Sequence, residues 1–490
     1  MSTFPRFVPH TKILSQILNP YRNRAYFIFP NHKRRYSAVP VAVSLSTKSA
    51  EEILVVVGAG AAGMYGAIRA KSIAPDLNVV VIEKGKPLSK VDDDADDDDN
   101  NFFKWISPSC QVKISGGGRC NVTNGHCVDN VVLAGNYPRG NKELRGSFFD
   151  MHGPTDTMSW FSDRGVELKT EIDGRVFPIT DSSSTIIDCL ISEAKKRGDT
   201  GKTVTSISTS AAGKFSIKIE KRSVDYVEHV EADYLMIASG SSEQGYNLAA
   251  QLGHSIVKPV PSLFTFKIDD FQLVELSGVT FPKVRAKLKL ETVQKSTPEL
   301  TQVGPMLVTH WGFSGPVILR LSAWGARDLS DTNYKGSLLV DFVPDVHIEE
   351  VKSLLIQHKN KFPKQRVINS FPTELGIVKR FWRYILEQED LDGDLLWASI
   401  SNNLLISIAS RLKNCSFRVK GKGQFKDEFV TAGGVPLSEP IAGIHEYHAE
   451  PSQFTFILCW RGIEYRRCNW RLQFPAIIPG TLSVPASGRV

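Results

Sequence analysis

The fold class is decided by residues 53–63, which read Ile53-Leu54-Val55-Val56-Val57-Gly58-Ala59-Gly60-Ala61-Ala62-Gly63. The run of five aliphatic residues is typical of a strand that is buried on both faces of a parallel sheet. Three glycines follow in the spacing G-x-G-x-x-G, and residues 64–73 then have helical spacing. A strand, a glycine turn and a helix in this order predict a dinucleotide-binding unit.

Each glycine has a predicted task in that unit. Gly58 makes the tight turn, Gly60 lets the backbone approach a pyrophosphate, and Gly63 lets the helix pack closely on the strand. The pyrophosphate would lie against the amides at the start of the helix. The predicted phosphate-binding residues are Gly58, Gly60, Ala61, Ala62 and Gly63.

A second predicted strand, residues 78–82, ends at Glu83, twenty residues after Gly63. A carboxylate at this position would accept hydrogen bonds from ribose hydroxyls, and its charge would disfavour a 2′-phosphate. Glu83 is therefore predicted to contact the adenosine half of the cofactor. The motif alone leaves NAD and FAD open.

Further motifs carry a resemblance to a known family. The most specific are Ser115-Gly116-Gly117-Gly118-Arg119-Cys120-Asn121 and Thr309-His310-Trp311-Gly312-Phe313-Ser314-Gly315-Pro316. With Glu83-Lys84-Gly85 and shorter matches at 174–178, 238–240, 253–254 and 430–435, they resemble the BaiN-like (YhiN-type) family of NAD(P)/FAD-dependent oxidoreductases. The resemblance covers residues 53–436.

The resemblance implies an α/β fold: a Rossmann-like FAD-binding domain interrupted by an inserted domain that is β-rich and then helical. It implies FAD as the cofactor and adds cofactor-binding residues to those of the glycine turn. These are Lys84, Ser115, Gly116, Gly117, Gly118, Arg119, Cys120, Asn121, Ala238, Ser239 and Gly240. The three successive glycines would expose amides in a concavity, and Arg119 would add a fixed positive charge.

The predicted domains are a FAD-binding domain over 51–257, the insert over 258–420 and a return to the FAD domain over 421–443. Alternation of apolar and polar residues between 264 and 308 predicts an antiparallel sheet or barrel in the insert. Helical spacing between 348 and 412 predicts a helical layer. The substrate is expected between the insert and the flavin.

His310 is the candidate acid or base, because a histidine titrates near neutrality and could protonate a substrate. A histidine that is only hydrogen-bonded in place is the alternative. No cysteine or histidine spacing fits a metal site, so none is expected.

The net charge of +7 is concentrated at one end of the chain. Residues 1–50 hold eight Lys or Arg and no Asp or Glu, so the remaining residues sum to a charge of −1. A basic, acid-free N-terminus indicates a transit peptide for a chloroplast or mitochondrion. The near-neutral remainder argues against a nucleic-acid partner, and no apolar run is long enough for a membrane span. A small-molecule substrate is expected, and the oligomeric state stays open.

Two segments depart from the family pattern. Residues 91–111, with seven Asp between 92 and 99, are predicted to be a disordered insertion, either a translated intron or an acidic surface loop. Residues 444–490 are predicted to be frame-altered, because 456–475 read one base downstream permit a family-like segment, LFFAGEVLNIDGVTGGFNFQ. The altered tail is expected to weaken FAD binding and to lack the last strand of the sheet.

The predicted function is FAD-dependent hydride transfer from NAD(P)H, docking transiently, to an organic acceptor such as an activated C=C bond. The alternative is a non-catalytic or misfolded isoform with impaired FAD binding. An RNA-modifying flavoprotein is a third hypothesis, for which a basic stripe would be the distinguishing feature.

Overall fold

A computed structural model describes residues 52–84, 110–127, 129–138, 149, 152–194, 199–200, 202–210, 213–221, 227–290, 298–423, 430–436, 445–449 and 456–460. The predicted transit peptide and residues 91–109 of the predicted insertion lie outside this range. Within it, no helix has the length and apolar character needed to cross a membrane.

The strands in chain order are β1 Ile53–Val57, β2 Asn78–Glu83, β3 Leu168–Thr170, β4 Val176–Pro178, β5 Asp199–Thr200, β6 Lys202–Thr209, β7 Phe215–Lys221, β8 Val227–Ala232, β9 Tyr234–Ile237, β10 Val257–Ser262, β11 Phe266–Ile268, β12 Thr280–Lys289, β13 Thr301–Thr309, β14 Gly312–Ser314, β15 Gly336–Asp341, β16 Cys415–Lys422, β17 Val430–Gly434, β18 His445–Ala449 and β19 Phe456–Trp460.

The α-helices are α1 Ala61–Ile73, α2 Cys110–Gly118, α3 Asn130–Gly135, α4 Pro154–Ser162, α5 Ser183–Ala194, α6 Glu243–Gln251, α7 Pro316–Trp324, α8 Ala326–Asp331, α9 Ile348–Lys361, α10 Lys379–Glu387 and α11 Asn402–Lys413. Short 3-10 helices span Phe271–Leu276, Pro298–Leu300, Val367–Asn369, Thr373–Leu375 and Trp397–Ser399.

The main sheet has the strand order β18-β19-β9-β1-β2-β5. β1 is parallel to both β2 and β9, with Val55 opposite Val80 and Leu235. Leu54, Val55 and Val56 have no exposed surface, as expected for a central strand that is covered on both faces. The predicted α/β, Rossmann-like fold class is confirmed.

The last strand of the sheet forms, so the expectation that it would be missing is wrong. β19 pairs antiparallel with β9, and Leu458 lies opposite Met236. The physical reason is composition. The segment Phe456-Ile457-Leu458-Cys459-Trp460 is apolar and therefore suits a strand, whether or not the coding sequence is frame-altered there. The remaining tail, 461–490, lies outside the described residues.

The inserted part of the chain is a closed antiparallel barrel in the order β11-β14-β13-β12-β15-β16. Its interior is filled by alternate residues of each strand, among them Val284, Ala286 and Leu288 of β12. Helices α9, α10 and α11 contribute to the same apolar core. The antiparallel sheet and the helical layer predicted from the sequence are therefore both present.

The ribbon of β10 and β17 lies where the chain enters and leaves the barrel. Val260 of β10 is opposite Ala432 of β17. Both side chains pack on Ala326 of α8. The ribbon is therefore anchored to the helices α7 and α8, which follow the barrel strands β13 and β14. The exact domain boundaries stay predictions.

Candidate functional site

Two glycines of the turn after β1, Gly58 and Gly63, lie too close to neighbouring backbone to carry a side chain. A Cβ at Gly63 would collide with the carbonyl oxygen of Gly58, and one at Gly58 would lie 2.5 Å from the carbonyl oxygen of Ala238. Gly58 also has φ +102°, a conformation that L side chains rarely adopt. The turn therefore brings α1, β1 and the end of β9 into backbone contact.

Glu83 is bound to the same turn. Its Oε2 atom accepts a hydrogen bond from the backbone amide of Ala59 at 2.7 Å, and the Gly58 amide donates to the carbonyl of Ile82 at 2.8 Å. These two bonds fix the end of β2 against the glycine turn. The carboxylate predicted for the ribose is thus held beside the amides predicted for the pyrophosphate.

No side chain caps the free amides at the start of α1, and none neutralises the positive end of its dipole. Gly60 is its N-cap residue and provides no capping side chain, and the first turn contains no acidic residue. The helix has 13 residues, so its amino-terminal amides and dipole favour an anion there. The turn and the helix start together fit a pyrophosphate.

The Ser115–Asn121 loop is irregular, although it follows directly from the regular part of α2. Gly116, Gly117 and Gly118 have φ of 57°, 75° and 86°. A Cβ on Gly116 would lie 2.9 Å from the Phe177 ring, whereas one on Gly117 would meet nothing within 4 Å. One side of the loop is therefore packed, and Gly117 borders open space into which a ligand could come.

The hairpin of β3 and β4 supports this loop from behind. The Val122 amide donates to the Val176 carbonyl at 2.8 Å, and the Val176 amide donates to Thr123 at 3.0 Å. Asn121 is 1% exposed, and its Oδ1 also accepts from the Val176 amide. Its Nδ2 has no hydrogen-bond partner among the described residues. A buried amide left with a donor is consistent with a polar ligand at this loop.

Arg119 is held by carboxylates of the same hairpin region. Its Nη1 lies 2.6 Å from Glu171 and 3.5 Å from Asp181, and its guanidinium stacks over the Phe177 ring at 3.9 Å. Glu171 also binds Arg175 at 2.8 Å. Glu171 is not among the predicted site residues, because it lies 52 residues from Arg119 and belongs to no motif. The positive charge of Arg119, which was predicted to face the cofactor, is therefore largely neutralised by Glu171 and Asp181 in this structure.

The remaining predicted cofactor residues lie at the ends of β2 and β9. Lys84 Nζ donates to Gln244 Oε1 at 3.3 Å, at the start of α6. Gly240 has φ 60°. A side chain added at Gly245 would collide with the hydroxyl of Ser239 and displace it. Ligands of open α/β sheets bind at these carboxyl ends. The fold thus brings the glycine turn, Glu83, Ala238 and its neighbours to one edge.

His310 belongs to the barrel. It is exposed in the turn between β13 and β14, where its ring contacts that of Trp311 at a centroid distance of 4.1 Å. Among the described residues it forms no hydrogen bond that would orient it. Its catalytic role stays a prediction.

Charges of the loop-supporting hairpin reach the barrel. Arg320 of α7 is 2% exposed and donates to the carbonyl of Val303. Burial lowers the pKa of Arg320 to about 10, while Asp173 of the hairpin raises it and Arg175 lowers it. The charges of Asp173 and Arg175 thus act on a buried arginine of the helix that follows the barrel strand β14.

The parallel strands at the centre of the main sheet, the glycine turn and the carboxylate after β2 define an α/β fold of the dinucleotide-binding class with an inserted barrel. The family model of the HI0933-like protein barrel and H2TH domain matches residues 260–430. A 3-dehydro-bile acid delta(4,6)-reductase of Clostridium scindens is 25% identical over 323 residues, covering 63% of this chain and 68% of the relative. A ribosomal RNA dihydrouridine synthase of Escherichia coli is 25% identical over 396 residues, covering 79% and 86%.

These findings confirm the predicted resemblance to the BaiN-like flavoprotein oxidoreductases. The family model and the relatives support FAD as the cofactor. Among solved structures, an open conformation of a flavocytochrome c3 fumarate reductase is 13% identical, covers 78% of this chain and 67% of that one, and has a TM-score of 0.35. A similarity at that level carries no argument about this chain.

Proposed function

We propose that this protein is an FAD-dependent reductase of C=C bonds conjugated to a carbonyl group, with NAD(P)H as the electron donor. The observation that carries the proposal is the hydrogen bond of 2.7 Å between Glu83 and the Ala59 amide. It holds the carboxylate predicted to bind the ribose beside Gly58 and Gly63, where an added side chain would clash with the backbone. Within the family, this arrangement supports a bound adenine dinucleotide.

The names of the relatives support the choice of acceptor. A 3-dehydro-bile acid with double bonds at positions 4 and 6 has a C=C conjugated with a ketone. Uridine, the precursor of dihydrouridine, has a C=C conjugated with a ring carbonyl. Both substrates accept hydride at the carbon remote from the oxygen, since the carbonyl takes up the negative charge. We extend that shared chemistry to this chain.

FAD, when bound, supplies the hydride-transferring group. The residues of this chain hold and orient it. The amides of the glycine turn would receive the pyrophosphate, Glu83 would accept from the ribose, and the open side of Gly117 would admit the ring system or the adjoining phosphate. Asn121 Nδ2 is a buried donor that such a polar ligand would satisfy.

Uridine within RNA is the second candidate substrate. The observation that favours it is coverage: the two dihydrouridine synthases match 79% and 78% of this chain, against 63% for the bile acid reductase. The expectation of a small-molecule substrate without nucleic acid stays a prediction, and it rests on total charge, which does not describe how charge is distributed over the surface.

The non-catalytic alternative is not favoured, since the turn, Glu83 and the Ser115–Asn121 loop are all in place. We also propose that residues 1–50 direct the chain to a chloroplast or mitochondrion. Fusing those residues to a fluorescent protein tests this, and diffuse cytosolic fluorescence would contradict it.

The experiment for the function uses the purified chain and the same chain with the frame of 456–475 restored. Each is reduced anaerobically with NADH or NADPH while the flavin bands are followed. A steroid enone and a uridine-containing RNA are then offered separately. The expected product has gained two hydrogen atoms by mass spectrometry. Flavin that neither nucleotide reduces, or reduced flavin that neither acceptor reoxidises, would contradict the proposal.

A further inference from the structure

The outer face of the barrel carries a row of cations that the dinucleotide site does not use. In β12 the side chains of Val284, Ala286 and Leu288 point into the barrel core. Arg285, Lys287 and Lys289 alternate with them and therefore point outward. Arg285 and Lys289 are exposed, and Lys287 is half-buried.

The strand β16 repeats this pattern two strands away. Phe417 and Val419 are buried in the core, whereas Arg418 and Lys420 are exposed. Lys267 of the adjoining β11 is also exposed. We call the surface formed by Lys267, Arg285, Lys287, Lys289, Arg418 and Lys420 the basic barrel face.

The strand register fixes the size of the basic barrel face. Lys289 lies opposite Ser337 of β15, and Ser337 lies opposite Arg418. Two strand spacings separate Lys289 from Arg418, about 10 Å, and Arg285 and Lys289 are about 13 Å apart along β12. The cations thus cover a patch on the outer face of the barrel.

Few acidic groups neutralise this patch. Among the described residues, Lys420 alone of the six forms an ion pair, with Asp269. Asp341, which is opposite Arg285, is 9% exposed and is already bound by Lys413 at 2.7 Å. The neighbouring Lys283 is different, since Asp345 pairs with it at 2.6 Å. The basic barrel face therefore keeps most of its charge.

We infer that the basic barrel face binds the phosphate backbone of structured RNA, an inference that rests on the proposed reduction of uridine. Several Lys and Arg at spacings of about 10 Å on a rigid surface can neutralise several phosphates of one strand. Surface binding to a membrane also requires exposed apolar side chains. None of the large exposed hydrophobic residues of the described chain lies on β12, β15 or β16. Exposed cations on these strands with no exposed apolar side chains among them favour RNA over a lipid surface, and the exposed Phe271 and Val274 lie beyond them in the 3-10 helix that follows β11.

The test compares the full chain with the triple variant Lys287→Gln, Lys289→Gln, Arg418→Gln. A matched control, Lys361→Gln, Lys364→Gln, Arg383→Gln, removes the same charge from exposed positions of the helical layer. Binding of a fluorescein-labelled uridine-containing RNA hairpin is measured by anisotropy over a range of salt concentrations. Flavin absorbance and thermal melting report folding of each variant.

The expected result is a dissociation constant that rises about ten-fold or more in the barrel-face variant, with a salt slope lower by about 2 to 3. The control should change by less than about three-fold. Equal weakening in both variants, no weakening in the first, or preferential binding to phosphatidylglycerol vesicles would overturn the inference. A chain that reduces the steroid enone but binds no RNA contradicts the inference alone, and a chain without flavin contradicts the proposed function alone.

Discussion

The guanidinium of Arg119 is bound by the carboxylate of Glu171 at 2.6 Å, and this ion pair joins the glycine loop to the hairpin of β3 and β4. The second oxygen of Glu171 binds Arg175 at 2.8 Å. One carboxylate thus fixes two cations beside the loop that should receive the flavin. Because Arg119 and Glu171 are each 29% exposed, the pair contributes on the order of 1 kcal/mol.

Replacing Glu171→Gln should leave the chain folded and raise the FAD dissociation constant about five-fold, since the loop loses its anchor. Titration of the protein with FAD, followed by flavin fluorescence, measures this. The control is Asp181→Asn, which removes a longer and more exposed contact with Arg119. An FAD affinity that is unchanged in Glu171→Gln would show that the ion pair does not position the loop.

Gly117→Ala should weaken FAD binding more than it destabilises the fold. The residue has φ +75° and borders open space, so the ligand-free protein should lose about 1 to 2 kcal/mol of unfolding free energy. The added methyl group should also exclude the ligand. Gly376→Ala is a matched control in the insert, with φ +62° and no atom within 4 Å. Equal FAD affinities in the two variants would contradict a ligand at Gly117.

Gly63→Ala should destabilise the nucleotide-binding sheet itself. The new Cβ would overlap the backbone carbonyl of Gly58, so α1 must move away from β1. A backbone displacement of this kind should cost more than about 2 kcal/mol of unfolding free energy. Gly135→Ala, with no atom within 4 Å of the added Cβ, should be nearly neutral. Urea unfolding of the two variants measures the difference. If Gly63→Ala unfolds at the same midpoint urea concentration as the wild type, the close contact between Gly63 and Gly58 is refuted.

Stability should fall in mild acid because of one buried histidine. His152 is 4% exposed and lies 3.2 Å from the hydroxyl of Tyr65. Burial lowers the pKa of His152 from 6.5 to about 4, with Arg69 lowering it further and Asp156 opposing. Between these values the unfolded chain binds a proton that the folded chain does not. The free energy of unfolding should therefore decrease as pH falls from about 6.5 to about 4.

The measurement is urea unfolding of wild type and His152→Gln at pH 7 and at pH 4.5. The variant should be less stable than wild type at pH 7, where the neutral imidazole contacts Tyr65. Its loss of stability on acidification should be smaller than that of wild type. An equal acid-induced loss in both proteins would exclude His152 as its source.

The residues that could be predicted are those whose roles depend on neighbours in the sequence. The glycine turn, β2 and Glu83 form a local pattern, and the alternation in β12 indicated the antiparallel barrel. Glu171 could not be predicted, because its partner Arg119 is 52 residues away and the contact exists only after the hairpin folds over the loop.

Total charge also leaves out how the charged residues are distributed over the surface. Acidic and basic residues cancel over the chain after residue 50, yet the period of two along β12 and β16 sorts the cations onto one face. The strand β19 could not be predicted from the reading frame for a similar reason. An altered frame removes a family motif, whereas strand formation depends on apolar composition, which the altered segment keeps.

Binding of FAD by the glycine turn and Glu83 can be read from the nucleotide that the purified chain carries. The chain is freed of unbound ligand, its absorption spectrum is recorded, and the released cofactor is identified by mass spectrometry, in parallel with Glu83→Gln. We expect FAD in the wild type and a markedly lower FAD content in Glu83→Gln. A wild-type chain that binds no flavin when supplied with FAD, or equal FAD content in both proteins, would contradict it.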